Sequence, residues 1–193
     1  TAVGADSMYT NTTGEYNVAM GFMALYNNTT ASNNVAIGMQ ALVSNTTGYS
    51  NVALGGYALD ANATGNSNTS IGHASLTNNT ASSNTAVGWQ CMYTNTTGHS
   101  NVAVGPNAMF ANTTASNNTA IGYYALKDNT TGTENVSFGG YALTANTTGS
   151  YNTAIGYSTL GSNNASNITA VGYRALGANT TGASNDAIGY NSL

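Results

Sequence analysis

The sequence predicts an all-β fold, a parallel β-solenoid or β-roll of about 11 coils with about 17 residues in each. Three observations carry that expectation. A glycine preceded by a small and then an aliphatic residue recurs at Gly4, Gly21, Gly38, Gly55, Gly72, Gly88, Gly105, Gly122, Gly139, Gly156, Gly172 and Gly189. The spacing is regular except for two shortened steps, Gly72 to Gly88 and Gly156 to Gly172. The segment before each glycine reads N-[VT]-A-[IV], with β-branched residues in alternation, as a strand requires. Asn, Thr, Ala and Gly fill more than half of the chain, and a glycine in every repeat among dense Asn and Thr opposes a helix.

Each element of the repeat has its reason. The N-[VT]-A-[IV] piece is the first strand, and the A-[LM]-x-x stretch after the glycine is a weaker second one. Gly and the Asn-Thr-Thr-Gly segment supply the two turns. Stacked at about 4.8 Å, the coils make a rod on the order of 50 Å long. Two columns of large apolar residues are expected to form the core. One precedes the glycine (Val3, Met20, Ile37, Leu54, Ile71, Val87 and onward), and the other lies four residues after it (Met8, Leu25, Leu42, Leu59, Leu76, Met92 and onward). The Ala2, Ala19, Ala36, Ala53 column stays small. Either another sheet packs against it, which implies lateral assembly, or a tight internal bend needs a small side chain.

A longer period overlies the short one. TAVG begins at Thr1, Thr85 and Thr169, and residues 1–84 and 85–168 are identical at more than half of their positions. Residues 1–193 therefore read as one repeat array, with super-repeats 1–84 and 85–168 and a partial copy 169–193. The array reads as an excerpt from a longer one.

Composition excludes several functions. Only 4% of the residues are charged and the net charge is −4. Lys127 and Arg174 are the only cations, too few to neutralise a nucleic-acid backbone. No apolar run approaches the roughly 20 residues of a membrane-spanning helix. Cys91 alone cannot build a disulfide framework and reads as a small packing residue. Calcium-binding repeats need an Asp in every repeat, which this chain lacks. No cofactor or metal is expected. His73 and His99 occupy different repeat positions, no Ser/His/Asp set recurs in register, and the chain reads as a non-enzyme.

NVAIG at Asn34–Gly38, NVAVG at Asn101–Gly105 and NTAIG at Asn152–Gly156 resemble the SVAIG-type repeat of YadA-like heads in trimeric autotransporter adhesins. The array is also similar to NTAxGxxAL…NTTG arrays of tail-fibre-like proteins. The resemblance covers every repeat, although the family's head repeat is commonly shorter. It implies a left-handed roll, a homotrimer, and an adhesive or fibre role outside the cell, on the cell surface or on a virion appendage. The implied partners are other copies of the chain and a host-surface or glycan receptor.

Two groups of surface residues are candidates for function. Asn11, Asn28, Asn45, Asn62, Asn78, Asn95, Asn112, Asn129, Asn146, Asn164 and Asn179 begin N-x-[ST] sequons. They would coat one edge with glycan if modified, or stack as amide ladders if structural. Phe22, Tyr57, Trp89, Tyr123, Tyr124, Tyr141, Tyr157, Tyr173 and Tyr190 lie one or two residues after the glycine. They form either a receptor or glycan contact strip or a chain-to-chain packing surface. The best reading is a structural or adhesive extracellular fibre segment. The alternatives are a glycosylated self-assembling filament and an ice-binding solenoid that presents stacked pairs such as Thr12/Thr13 and Thr29/Thr30.

Overall fold

A computed structural model describes residues 1–193. It is a parallel β-solenoid with no helix. Twelve short strands follow one another along a single sheet in chain order, from β1 (Ala2–Val3) and β2 (Val18–Met20) to β12 (Asp186–Ile188). The intervening strands are β3 (Val35–Ile37), β4 (Val52–Leu54), β5 (Thr69–Ile71), β6 (Thr85–Val87), β7 (Val102–Val104), β8 (Thr119–Ile121), β9 (Val136–Phe138), β10 (Thr153–Ile155) and β11 (Thr169–Val171). Like residues pair throughout: Ala19 lies beside Ala36, and Ile37 beside Leu54. The shortened repeats keep this register, with Thr69 opposite Thr85 and Thr153 opposite Thr169. The missing residue is therefore absorbed in a turn.

Only the first strand-like piece of the repeat is a strand. The A-[LM] stretch forms turns, and the coil is stitched to its neighbour there by single bonds such as Leu25 N–H to Ala41 C=O at 3.0 Å. Of 122 backbone hydrogen bonds only 21 lie within the strands, so the turns carry most of the stack. The Leu column is the reason no second strand forms. Leu25, Leu42 and Leu59 have φ of 52°, 52° and 54°, in the left-handed region. That geometry reverses the chain and aims the side chain inward.

The core differs from expectation in one column. Leu25, Leu42, Leu59, Leu76, Met92 and Met109 are wholly buried, as expected. The residues before the glycine are not core. Val3, Met20, Phe138 and Ile188 are 53%, 42%, 54% and 80% exposed. The Ala column takes their place, with Ala19, Ala36, Ala53, Ala86 and Ala103 fully buried. The second small column, Ala24, Ala41, Ala58, Ser75 and Cys91, is buried as well. The cause is room. A narrow coil already filled by one Leu and two rows of Asn accepts only Ala or, at Ser70 and Ser137, Ser opposite, and strand alternation then turns the β-branched neighbours outward. Of the two readings of the Ala column, the tight interior is the one found.

The glycine column is a second constraint. Gly21 has φ of 136°, and a Cβ there would lie 2.6 Å from the carbonyl oxygen of Gly38. The same close approach repeats coil after coil, so no other residue fits.

Candidate functional surfaces

Two rows of asparagine run through the interior on the turn side. In the first, each side-chain amide donates to the Oδ1 of the coil before it: Asn28 to Asn11 at 2.8 Å, Asn45 to Asn28 at 2.9 Å, Asn112 to Asn95 at 2.6 Å. It also donates to a backbone carbonyl three residues on, as Asn45 does to Gly48 at 2.9 Å. In the second row the backbone N–H of each Asn donates to the previous Oδ1, as Asn34 does to Asn17 and Asn51 to Asn34, both at 2.9 Å. Asn34 Nδ2 donates to the same Gly48 carbonyl at 2.9 Å. One turn oxygen thus joins both rows, and away from the two shortened repeats the buried amides are satisfied along the rod.

This geometry decides where the sequon asparagines lie. Asn28, Asn45, Asn62, Asn95, Asn112, Asn129 and Asn146 are wholly buried in the first row, with Nδ2 spent on internal bonds. Asn11 and Asn179 occupy the same row and are partly exposed. Asn78 and Asn164 stand outside it, on the surface. Their places in the row are taken by Asn79 and Asn163, each donating instead to a carbonyl two residues on, Ala81 at 2.8 Å and Ala165 at 2.9 Å. Sequence reading missed this shift, although the shortened Asn79-to-Asn84 spacing is its signature. It leaves the Oδ1 atoms of Asn62 and Asn146 buried without a hydrogen-bond partner.

The Thr pairs divide in the same way. The first hydroxyl donates to the next coil, as Thr12 does to Thr29 C=O and Thr96 to Thr113 C=O, both at 2.9 Å. The second Thr of each pair, Thr13, Thr30, Thr47 and Thr97, is exposed.

Of the nine candidate aromatics, the C-terminal ones come together. Tyr123, Tyr124, Tyr141, Tyr157, Tyr173 and Tyr190 form one continuous row with ring centroids 4.1–5.7 Å apart. The Tyr157/Tyr173 and Tyr173/Tyr190 pairs are stacked nearly parallel, so the rings face one another along the rod. Hydrogen bonding to Tyr124, followed by lost solvation and the neighbouring phenols, pushes the Tyr123 hydroxyl up to about 12. Tyr57 meets His73 edge-on at 5.7 Å, whereas Phe22 and Trp89 stand apart from any other ring. A second aromatic column, five residues after the glycine, stacks Tyr9 on Tyr26 and Tyr93 on Phe110. The 17-residue periodicity was the signal that could have found it.

The outward side of the sheet is half-exposed or exposed along its whole length. It presents one rank of Val and Thr from Val18 to Thr169 and a second rank of large apolar residues from Val3 to Ile188. Charge is sparse around the whole rod: one ion pair, Lys127 Nζ to Asp128 Oδ1 at 3.0 Å, and Arg174 over the Tyr173 ring. Cys91 is buried, and burial pushes its thiol up to about 12, so it is no nucleophile at neutral pH. A groove of about 510 Å³ lies near Tyr141, Ser158, Arg174 and Asn191. No helix is long and apolar enough to cross a membrane. No family model, curated protein or solved structure matches this chain.

Proposed function

We propose that this chain is a segment of a non-enzymatic extracellular fibre, the shaft or head of an adhesin-like or tail-fibre-like appendage. Its left-handed rolls pair side by side as a homotrimer. The outward face of the sheet is the observation that carries this reading. Val3, Met20, Ile71, Phe138, Ile155 and Ile188 are each 39% exposed or more on one flat side. Strand spacing makes that strip about 50 Å long and about 10 Å wide, roughly 500 Å² before its flanks are counted. An apolar strip of about 500 Å² is at the upper end of what a monomer exposes and is often functional; a stable interface takes about 800 Å² from each partner, so the flanks of the strip contribute the rest. The rest of the rod supports a mechanical role, because backbone and Asn hydrogen bonds join each coil to the next along its length.

Sedimentation equilibrium tests the reading. The expected species has about three times the 19.5 kDa chain mass. A monodisperse 19.5 kDa species at micromolar concentration overturns it. Ile121→Glu, on the outward rank, is expected to shift the population to monomer while leaving the circular-dichroism spectrum unchanged.

A further inference from the structure

The tyrosine row fills consecutive coils with one kind of side chain. Tyr123 and Tyr124 share a coil, and Tyr141, Tyr157, Tyr173 and Tyr190 follow one per coil. Its first part, from Tyr123 to Tyr157, lies inside the stack, with strands β11 and β12 still to follow. The backbone beneath fixes the spacing. Tyr141 N–H donates to Tyr123 C=O and Arg174 N–H to Tyr157 C=O, both at 2.9 Å. Ring centroids are 4.1 Å apart for Tyr123 and Tyr124, 5.4 Å for Tyr123 and Tyr141, and 5.7 Å for Tyr141 and Tyr157. Rings at such separations touch through their edge carbons.

Packing accounts for rings at these places but not for hydroxyls. Tyr93 stacks on Phe110 at 5.5 Å, so a stacked pair forms equally well with Phe. The row nevertheless carries a phenol at all six places. Nor do its rings make a flat platform for a ligand: Tyr157 stands at 68° to Tyr141 and is stacked on Tyr173 within 11°. What Tyr157 turns to the coil before it is a ring edge. Gly140 leaves a side-chain place open beside Tyr141, and the Tyr157 ring leans over it. Its Cδ2 and Cε2 lie 3.5 and 3.7 Å from where a Gly140 Cβ would stand. Cε2 is the carbon ortho to the hydroxyl, the position at which an oxidised phenol couples. Tyr16, Tyr49 and Tyr151 are just as exposed and touch no other ring.

We propose that this row is a site of oxidative cross-linking, where a heme-peroxidase-class oxidant and hydrogen peroxide join tyrosines of neighbouring coils as dityrosine. Two phenols each lose one electron and the hydroxyl proton, which leaves two phenoxyl radicals. These form one carbon–carbon bond between their ortho positions. The hydrogen on each of those carbons then moves to the oxygen of its own ring and restores both phenols. The peroxide takes up the two electrons and two protons and leaves as two waters. The stack holds the partners in contact beforehand, so the coupling is intramolecular. Each bond closes one coil covalently and restrains the unfolded chain, as a disulfide does. Both partners belong to one chain, so the site stands whether or not the chains assemble.

The test treats the folded protein with a plant heme peroxidase and hydrogen peroxide. Dityrosine fluorescence and intact mass are read, and linked peptides are mapped after unfolding and elastase digestion. The expected product is a single chain lighter by two hydrogens per link. Its links join Tyr123 or Tyr124 to Tyr141, or Tyr141 to Tyr157, and their yield is unchanged over about tenfold dilution. The linked rod should also unfold at higher denaturant concentration than the parent. Tyr141→Phe keeps the ring and removes the phenol, so it should abolish both mapped links with the circular-dichroism spectrum unchanged. Tyr157→Phe should remove the second link and spare the first, and Tyr151→Phe should spare both. The site is overturned if the links form between chains instead of within one, or if the mapped partners are Tyr16, Tyr49 or Tyr151. It is also overturned if the rings gain oxygen without coupling. Sedimentation before oxidation separates this site from the fibre reading. Within-chain links in a monomer sink the assembly alone, whereas a trimer that forms none sinks the cross-linking site alone.

Discussion

The regular coil around Asn112 and the shortened coil that begins after Asn146 differ by one residue in one turn. In the regular coil, Asn112 donates to Asn95 at 2.6 Å and to Ala115 C=O at 3.1 Å, and accepts from Asn129 at 3.2 Å. At the seam, Asn146 makes both donations, to Asn129 at 3.0 Å and Gly149 C=O at 2.9 Å, yet its Oδ1 accepts nothing. Asn163 turns to its own backbone instead. Strand register and the Leu column pass through unaltered, since Ile155 still pairs with Val171 and Leu160 is fully buried. A deletion in this fold is thus confined to the turn: it opens the amide row and, at this seam, redirects the Thr147 and Thr148 N–H groups to Asn164 Oδ1, both at 2.9 Å. The same seam recurs one super-repeat earlier, at Asn62. The second row is also interrupted at the later seam, where buried Ile168 replaces Asn and only its backbone N–H reaches Asn152 Oδ1, at 3.2 Å.

That contrast can be broken or sharpened in order of expected effect. The glycine stack crosses the seam without interruption: a Cβ at Gly72 would meet Gly88 oxygen at 2.5 Å, and one at Gly122 would meet Gly139 carbon at 2.6 Å. Gly72→Val and Gly122→Val should each cost about 3 kcal/mol or more in chemical denaturation. A seam that tolerates valine would show that it extends beyond its turn. Next comes the amide row. Asn112→Ala strips a bonded partner from both sides and should cost about 2–4 kcal/mol, and Asn146→Ala about 1 kcal/mol less, because its Oδ1 is already unpaired. Equal losses would show that the broken bond contributes nothing.

Third, inserting a glycine after Ala81 restores full repeat length. It should return Asn79 to Asn62 and gain about 1 kcal/mol, read as slower amide exchange through Asn84. Unchanged exchange would sever the link between repeat length and the open bond. The smallest effect is that of pH. Burial raises the pKa of Asp60 and of Cys91, and contact with Tyr124 raises that of Tyr123. Each group holds its proton more tightly when folded, so each stabilises the fold below its ordinary pKa and loses that contribution as pH rises through the folded value. For Cys91 and Tyr123 the loss falls between 9.0–10.0 and about 12. Thermal melts should show the highest midpoint at about pH 3, a small fall as pH rises above 3.8 and Asp60 ionises, and a further decline above about pH 9. Acid unfolding would contradict the minor part that ionised carboxylates play here.

Much of this was legible in the residues. The period, the coil number, the parallel register and the buried Leu column all follow from a glycine that cannot be replaced and from strict repetition. The inward and outward sides of the strand were not legible. Hydrophobicity ranks Ile37 above Ala36, but the interior of so narrow a coil is limited by volume, and Ala36 is the residue inside. The second strand failed for a related reason, since nothing in an A-L pair announces a left-handed Leu. Asn78 and Asn79 are indistinguishable in composition, and only the stacking partner Asn95, which donates to Asn79 Oδ1 at 2.6 Å, selects between them. The aromatic candidates were placed at the right repeat position, but which of them touch depends on consecutive coils carrying a ring, as Tyr157, Tyr173 and Tyr190 do.

The left-handed residues carry a consequence for how such a rod comes into being. Met23, Leu25 and Asn33 have φ of 56°, 52° and 62°, and every later full coil repeats the pattern. Each such residue costs on the order of 1 kcal/mol on an isolated chain. A coil by itself therefore has no reason to close. Laid on a finished coil, the same conformation is met at once by carbonyls and amides already in position. Formation is then a matter of a rare first nucleus and rapid propagation from its edge, as in crystal growth, with each turn acting as the mould for the next.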